Sequence, residues 1–469
     1  MNQITVKNII DVTKGTLVVG NENMVCEEYS KDTRTIKKGD TYLAIRGASF
    51  DGNKFWKEAM EKGAQAVIIN DDVEISEEEI KEVEKQGNAI IKVKDTIEAL
   101  QQIAAFKRSL YNIPIIAITG SVGKTSTKDL IASVLEKKYK VLKTEGNNNN
   151  DIGMPLTLLR LKDHEIAIIE MGMNHFGEIS RLSKIAKPTT AIITNVGSSH
   201  IGNLGSRENI LKAKLEILDG METKRIVINN DNDLLHKWFE ENNQKIEINT
   251  YGIENKSDIE ATNINEMEQK TEFLCNIENN QTKIEVPVPG RHFVYNALCA
   301  ITIGKLYNVE PEKMKEGISQ TELTKKRMEI IKLKNGATII NDSYNSSYES
   351  TKAALEYIGN RDGKRKIAVL GDMLELGDFS DEYHKKVGLE VAKNKIDILI
   401  CSGKVSKNIA EEAEKQGIEK SKIFYEENNE AVKSRLLQIM SSDDEILVKA
   451  SQGMKFFMIV EDIVNEYNK

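Results

Sequence analysis

Cysteine is scarce in this chain of 469 residues: Cys26, Cys275, Cys299 and Cys401 stand far apart, with neither CxxC nor metal-ligand spacing. That speaks against a disulfide scaffold and fits a reducing compartment. No apolar run approaches membrane-spanning length, and polar residues interrupt the N-terminus where a signal peptide needs a continuous apolar segment. The expected address is the cytoplasm. Basic residues are in deficit, 65 Lys and Arg against 73 Asp and Glu for a net charge of -8, and no basic tract stands out. Nucleic-acid binding is therefore disfavoured, and an anionic substrate needs a local cluster of cations, magnesium or backbone N–H groups. There is no internal repeat, and Asn147 to Asn150 is the sole low-complexity stretch.

With 40% hydrophobic and 29% charged residues, the composition is that of an ordinary folded protein, long enough for two to four domains. The first hundred or so residues read as α+β. A strand is expected over 41–46, then an amphipathic helix over 55–62 with Phe55, Trp56 and Met60 facing inward, and a buried strand over 66–69. The acidic stretch 71–85 has few apolar anchors and reads as a solvated helical face. Past Pro114 the pattern changes to apolar strands over 115–119, 166–170, 191–195 and 226–230, separated by helices such as 127–138 and 207–218. Strand–helix alternation predicts a largely parallel sheet with ligands beyond the carboxyl ends of the strands. An antiparallel extension is expected over 259–286. After residue 320 a further α/β unit carries four strands, over 338–340, 367–370, 398–400 and 446–448. The division expected is 1–110, 111–318 and 319–469.

The segment Gly120-Ser121-Val122-Gly123-Lys124-Thr125 lies between an apolar strand and a helix. Glycines there let the backbone turn tightly and aim N–H groups at phosphate oxygens, at the N-terminus of the following helix. Lys124 would hold β- and γ-phosphates and the Thr125 hydroxyl would meet magnesium. The glycine spacing is shorter than the general nucleotide-binding pattern. Glu170 ends an apolar strand, where a carboxylate would complete a magnesium site. His175 and His200 also follow strands, and either is equally readable as a local hydrogen-bonding residue. Lys214 reads as a salt-bridged helix lysine as readily as a functional one. His292 and Asn296 fall four apart at a helix start, on one face, placed to meet a base or ribose or to cap a packed helix. Asp342, Tyr344 and Asn345 crowd a later strand end, as do Asp372 and Glu375.

Taken in order, these segments resemble the ATP-dependent Mur ligases of peptidoglycan synthesis. The resemblance rests on the loop 119–125, Gly146 to Pro155, Glu170-Met171-Gly172-Met173, Asn195 to His200, Lys212 to Glu216, Asn341 to Asn345 and Gly371 to Gly377. Asp32-Thr33-Arg34, Arg46-Gly47 and Phe50-Asp51-Gly52 match the family's UDP-substrate module. The resemblance implies three domains, with a P-loop central parallel sheet and a Rossmann-like C-terminal domain that closes over ATP. It implies ligation of D-alanyl-D-alanine to UDP-N-acetylmuramoyl-tripeptide through an acyl phosphate, by a monomer using ATP and two magnesium ions. Lys124, Glu170, His200 and Lys214 then act on the phosphates and metals, with Thr125 as a further metal ligand and Lys214 carbamylated. Gly120 to Ser126, His292, Asn296, Arg327 and Asp342 would bind ATP. Thr33, Arg34, Arg46, Gly47, Asn149 and Asn150 would hold the UDP substrate, and Tyr344, Asn345 and Ser346 the acceptor. Phe293, Tyr348, Ala450 and Gln452 depart from the residues usual at their places. Open alternatives are the neighbouring ligase that adds the third residue to UDP-N-acetylmuramoyl-dipeptide, a folate polyglutamylating ligase, and an inactive ATP-binding scaffold.

Overall fold

Three sheets follow one another along the chain in the computed structural model, which describes residues 3–47, 50–278, 280–361 and 364–467. The first has five strands in the order Thr16–Val19, Ala89–Val93, Ala66–Asn70, Thr41–Leu43, Tyr29–Ser30, parallel except for the first. The strand expected over 41–46 stops at Leu43, because the chain turns back and Gly52 donates its N–H to Ile45 O. The next helix is split into a 3-10 turn, Gly52–Phe55, and an α-helix, Trp56–Glu61. Trp56 and Met60 are buried while Phe55 is only half-buried. Within the acidic stretch, Ser76 and Glu79 form a reciprocal cap on Glu77–Gln86, which fully buries only Val83, so its other faces are solvated.

The second sheet has nine strands, and its centre fixes the site. Ile115–Thr119 lies between Ile166–Glu170 and Thr190–Ile193, parallel to both. All three are buried along their length, which accounts for their unbroken apolar sequence. Their carboxyl ends release three loops at one edge: the 120–123 turn, the residues after Glu170 and the 194–200 segment. Lys124–Leu135 and Arg291–Leu306 pack against each other on this sheet. The helix expected to begin at 127 starts at Lys124, since the glycine turn runs straight into its first turn. Ile259–Glu266, Thr271–Ile277 and Asn280–Val286 form the expected antiparallel extension.

The third sheet runs Glu329–Lys332, Thr338–Asn341, Asp444–Lys449, Arg365–Gly371, Ile398–Ser402, Ile423–Glu426. It holds the four expected strands plus two edge strands, one antiparallel and one parallel. Among the described residues no helix is long and apolar enough to cross a membrane. The four cysteines are buried and free.

Candidate active site

The 120–123 turn requires glycine at two points. Gly120 has φ +155°, and a Cβ there would fall 1.9 Å from Thr194 Oγ1; Gly123 has φ +82° beside Asn296 Oδ1. The turn is gripped from the neighbouring loop. Ser121 and Val122 both donate their N–H to Asn195 Oδ1, at 3.1 and 2.9 Å. Thr194 Oγ1 donates to Val122 O at 2.7 Å, and Gly197 N to Ser121 Oγ at 2.9 Å. Lys124 folds back so that Nζ donates to Gly120 O at 2.7 Å. Burial pulls its ammonium below the ordinary lysine range, with Glu170 opposing and Arg327 adding to the shift.

Glu170 is 1% exposed. Its Oε2 accepts from Thr125 Oγ1 at 2.9 Å and its Oε1 from Asn149 Nδ2 at 2.8 Å. Both donors are neutral, and among the described residues no cation pairs directly with this carboxylate. Arg327 reaches back from the segment that enters the third sheet, donating from Nη2 to Thr125 Oγ1 at 3.0 Å. Its guanidinium lies over the Tyr344 ring, 4.0 Å from the centroid. Lys214, on the helix Arg207–Leu215, is 1% exposed and forms no ion pair among the described residues. Burial first, then the neighbouring Lys124, pulls its amine well below the ordinary range.

These groups meet in a cleft of about 790 Å³ between the second and third sheets. Lys124, Glu170, His200, His292, Asn296, Arg327, Asp342 and Tyr344 to Ser346 all line it. Lys214 is not among the lining residues. His292 and Asn296 share a helix face as expected from their spacing. Asn296 Oδ1 accepts from Thr127 Oγ1 at 3.0 Å, and burial pushes His292 down to about 4. Phe293 is buried with its ring 4.3 Å from that of His292, so it packs the helix root. Asp342 accepts from Lys449 Nζ at 2.5 Å and from Met328 N at 3.2 Å; Lys449 also donates to Asn345 O at 2.9 Å. Of the other departures, Tyr348 donates to Glu390, Ala450 fills the space beside Gly371, and Gln452 lines the cleft.

Of the remaining sequence candidates, Asn149 and Asn150 also line the cleft, while the others fall elsewhere. Asn150 Oδ1 accepts from the N–H groups of Ile152 and Gly153, fixing the turn into Gly153–Leu159. Thr33 donates to Glu58, Arg34 pairs with Asp32 and Arg46 with Asp72, while Gly47 N–H donates to Phe50 O. None of these four lines the cleft. His175 is exposed and pairs locally with Glu178. Asp372 takes the N–H groups of Lys404, Val405 and Ser406, a loop clamp. The sequence reading assigned no role to Asn195 as acceptor for the phosphate turn, or to Glu349 and Glu375, which reach Ser198 and His200 from the third sheet's domain. Such contacts join segments far apart in the chain, and spacing carries no signal of them.

Three family descriptions match in order: "Mur ligase family, catalytic domain" over residues 28–108, "Mur ligase middle domain" over 118–304 and "Mur ligase, glutamate ligase domain" over 326–452. The UDP-N-acetylmuramoyl-tripeptide–D-alanyl-D-alanine ligase of Bacillus subtilis is 39% identical over 464 residues, covering 98% of each chain. The enzyme of that name from Escherichia coli is 32% identical over 413 residues, covering 87% of this chain and 88% of the other. Among solved structures, MurF from Acinetobacter baumannii superposes with a TM-score of 0.87 at 27% identity over 99% of both chains. MurF ligase from Thermotoga maritima in complex with ADP gives 0.81 at 26% identity, over 94% of this chain and 98% of that one.

Proposed function

The chain belongs to the Mur ligase family, and from that premise we infer that it joins D-alanyl-D-alanine to UDP-N-acetylmuramoyl-tripeptide with cleavage of ATP. The products are the UDP-muramoyl-pentapeptide, ADP and phosphate. The observation that carries the reading is the chain of contacts Glu170–Thr125–Arg327 beside Lys124, drawn from two domains into one cleft. In the first step a carboxylate oxygen of the tripeptide attacks the γ-phosphorus and the bond to the ADP oxygen breaks, leaving an acyl phosphate. The dipeptide amine then attacks the acyl carbon, loses a proton, and expels phosphate.

Lys124, the N–H groups at the start of its helix and Arg327 hold the transferred phosphoryl charge. Asn296 and His292 border the nucleotide, and Asp342 stands ready for ribose or phosphate. A buried carboxylate hydrogen-bonded only by neutral donors fits a divalent cation. Among the described residues no cluster of three or more His, Cys, Asp or Glu is present, and a magnesium ion held here would take its further oxygens from phosphates and water. Thr125 and Glu170 would hold one magnesium ion, His200 and a carbamylated Lys214 a second. Magnesium bound there would screen phosphate charge and polarise the γ-phosphorus. A lowered amine pKa favours the neutral form of Lys214 that adds to carbon dioxide. Native mass with bicarbonate withdrawn and restored tests it; an unmodified lysine with unchanged activity throughout would exclude the carbamate.

Among the described residues Arg34 pairs with Asp32, and Arg46 with Asp72 and Asp51, contacts that a pyrophosphate can replace; with Thr33, Gly47, Asn149 and Asn150 they form the UDP side. Tyr344, Asn345 and Ser346 form the acceptor side. ATP and a UDP-linked substrate point to the cytoplasm, and one chain supplies every group named, so a monomer suffices. The test supplies ATP and magnesium with tripeptide plus D-alanyl-D-alanine in one arm, and dipeptide plus a diamino acid in the other. Pentapeptide in the first arm alone is expected; product in the second alone would reassign the enzyme to the preceding addition.

A further inference from the structure

One segment, 194–200, is held on two sides by different domains. On its inner side it grips the phosphate turn: Asn195 Oδ1 takes the N–H groups of Ser121 and Val122, and Gly197 N donates to Ser121 Oγ. On its outer side Ser198, which is fully buried, donates from its backbone N to Glu349 Oε1 at 2.7 Å and from its hydroxyl to Glu349 Oε2 at 3.0 Å. A Cβ on Gly197 would come within 2.6 Å of the same carboxylate, so the acid sits directly on the backbone. Glu349 belongs to the first turn of Tyr348–Gly359, in the domain of the third sheet. A second acid from that domain, Glu375, lies 2.8 Å from His200 Nδ1 at the end of the segment.

We propose that Glu349 is a positioning residue that makes the geometry of the phosphate turn depend on docking of the C-terminal domain. A carboxylate taking two hydrogen bonds from one residue fixes that residue in place, and charged acceptors make the stronger bonds. With Ser198 fixed, Asn195 and Gly197 are fixed too, and through them the turn that receives ATP. Chemistry is then set up only when both domains are in contact, which keeps a hydrolysable acyl phosphate from forming in an open cleft. This rests on the ligase reading above. The competing explanation is local: an acid in the first turn of a helix stabilises that helix through its dipole, with no effect on the other domain.

The test uses the full chain with Glu349→Ala, Glu349→Gln and Ser198→Ala. Steady-state kinetics are combined with amide hydrogen exchange over residues 119–126 and 194–200, with and without a non-hydrolysable ATP analogue. For Glu349→Ala kcat should fall on the order of 10- to 100-fold. The KM for ATP should stay within about threefold, and exchange over 194–200 should speed up about tenfold. Glu349→Gln, which keeps an oxygen acceptor for the Ser198 N–H, should recover part of both effects. Ser198→Ala, which loses only the hydroxyl bond, should fall between. Wild-type kcat and exchange in Glu349→Ala, or a lowered melting temperature with both unchanged, would overturn the proposal in favour of the helix-dipole role. Exchange is read on protein without peptide substrates, so it reports on the grip even if no pentapeptide forms.

Discussion

Arg327 and Thr125 lie about two hundred residues apart, yet Arg327 Nη2 donates to the Thr125 hydroxyl at 3.0 Å while that hydroxyl donates onward to Glu170. The guanidinium is flattened against Tyr344. A side chain from the segment that leads into the third sheet is thus tied to the phosphate turn's helix, as the proposed role in phosphate binding requires. Replacing Arg327 with Ala should lower kcat roughly 10- to 100-fold, and Arg327→Lys should recover little. Lysine keeps the charge but neither the planar fork nor the stacking face. Full recovery in the lysine variant would show that charge alone is needed.

Lys124 is the cation proposed to meet the developing phosphoryl charge. Its Lys124→Ala variant should lose on the order of 10²- to 10³-fold in kcat. The melting temperature should hardly change, because a desolvated amine is removed along with its hydrogen bond to Gly120 O. Phosphate release in a stopped assay decides it, and near-normal turnover would remove Lys124 from the chemistry.

Asn195 shapes the turn without needing to touch ATP. Asn195→Ala leaves the Val122 N–H without its acceptor, while the Ser121 N–H keeps the backbone carbonyl of residue 195; the cost is about 1–3 kcal/mol, and ATP should bind about tenfold more weakly. Asn195→Asp keeps the acceptor but sets a negative charge beside the triphosphate, so it should bind ATP more weakly still. Calorimetric titration with an ATP analogue separates the two. Equal affinities in all three proteins would show the turn to be self-supporting.

His292 supplies a pH test. Burial pushes it to about 4, below the roughly 6.5 of an unfolded chain. Between those values the unfolded chain binds a proton that the folded protein excludes, so stability falls as pH drops through that window and is flat above it. His292→Gln should remove this contribution. Urea unfolding at pH 7 and pH 5 should show a smaller acid loss in the variant than in the wild type; parallel losses would mean that His292 is protonated in the folded state.

Much of this fold is written locally. The strands at 115–119 and 166–170 are apolar throughout because both faces are covered, and a run of that length ending at Gly or Glu is legible without a structure. The two strands of the third sheet that escape notice, Glu329–Lys332 and Ile423–Glu426, lie at its edges, half-exposed and short, where composition resembles a loop. Thr16–Val19, Tyr29–Ser30, Val141–Lys143, Glu247–Gly252 and the buried inner strand Ala89–Val93 go unpredicted in the other two sheets. The phosphate turn is legible for the same local reason as the inner strands. Glu349 and Asn195 are not, since their partners are distant in sequence and come near only through sheet order and domain contact. Arg327 comes from resemblance alone; nothing in its neighbours distinguishes it from a surface arginine.

The proposed reaction activates a peptide carboxylate with ATP in this cleft and passes the acyl group to D-alanyl-D-alanine. The most direct measurement uses tripeptide substrate with both oxygens of the reacting carboxylate replaced by oxygen-18, with mass analysis of both products. One label should appear in the released phosphate and the other remain in the new amide of the pentapeptide. Unlabelled phosphate, or labelled tripeptide recovered intact while ATP is consumed, would contradict the account.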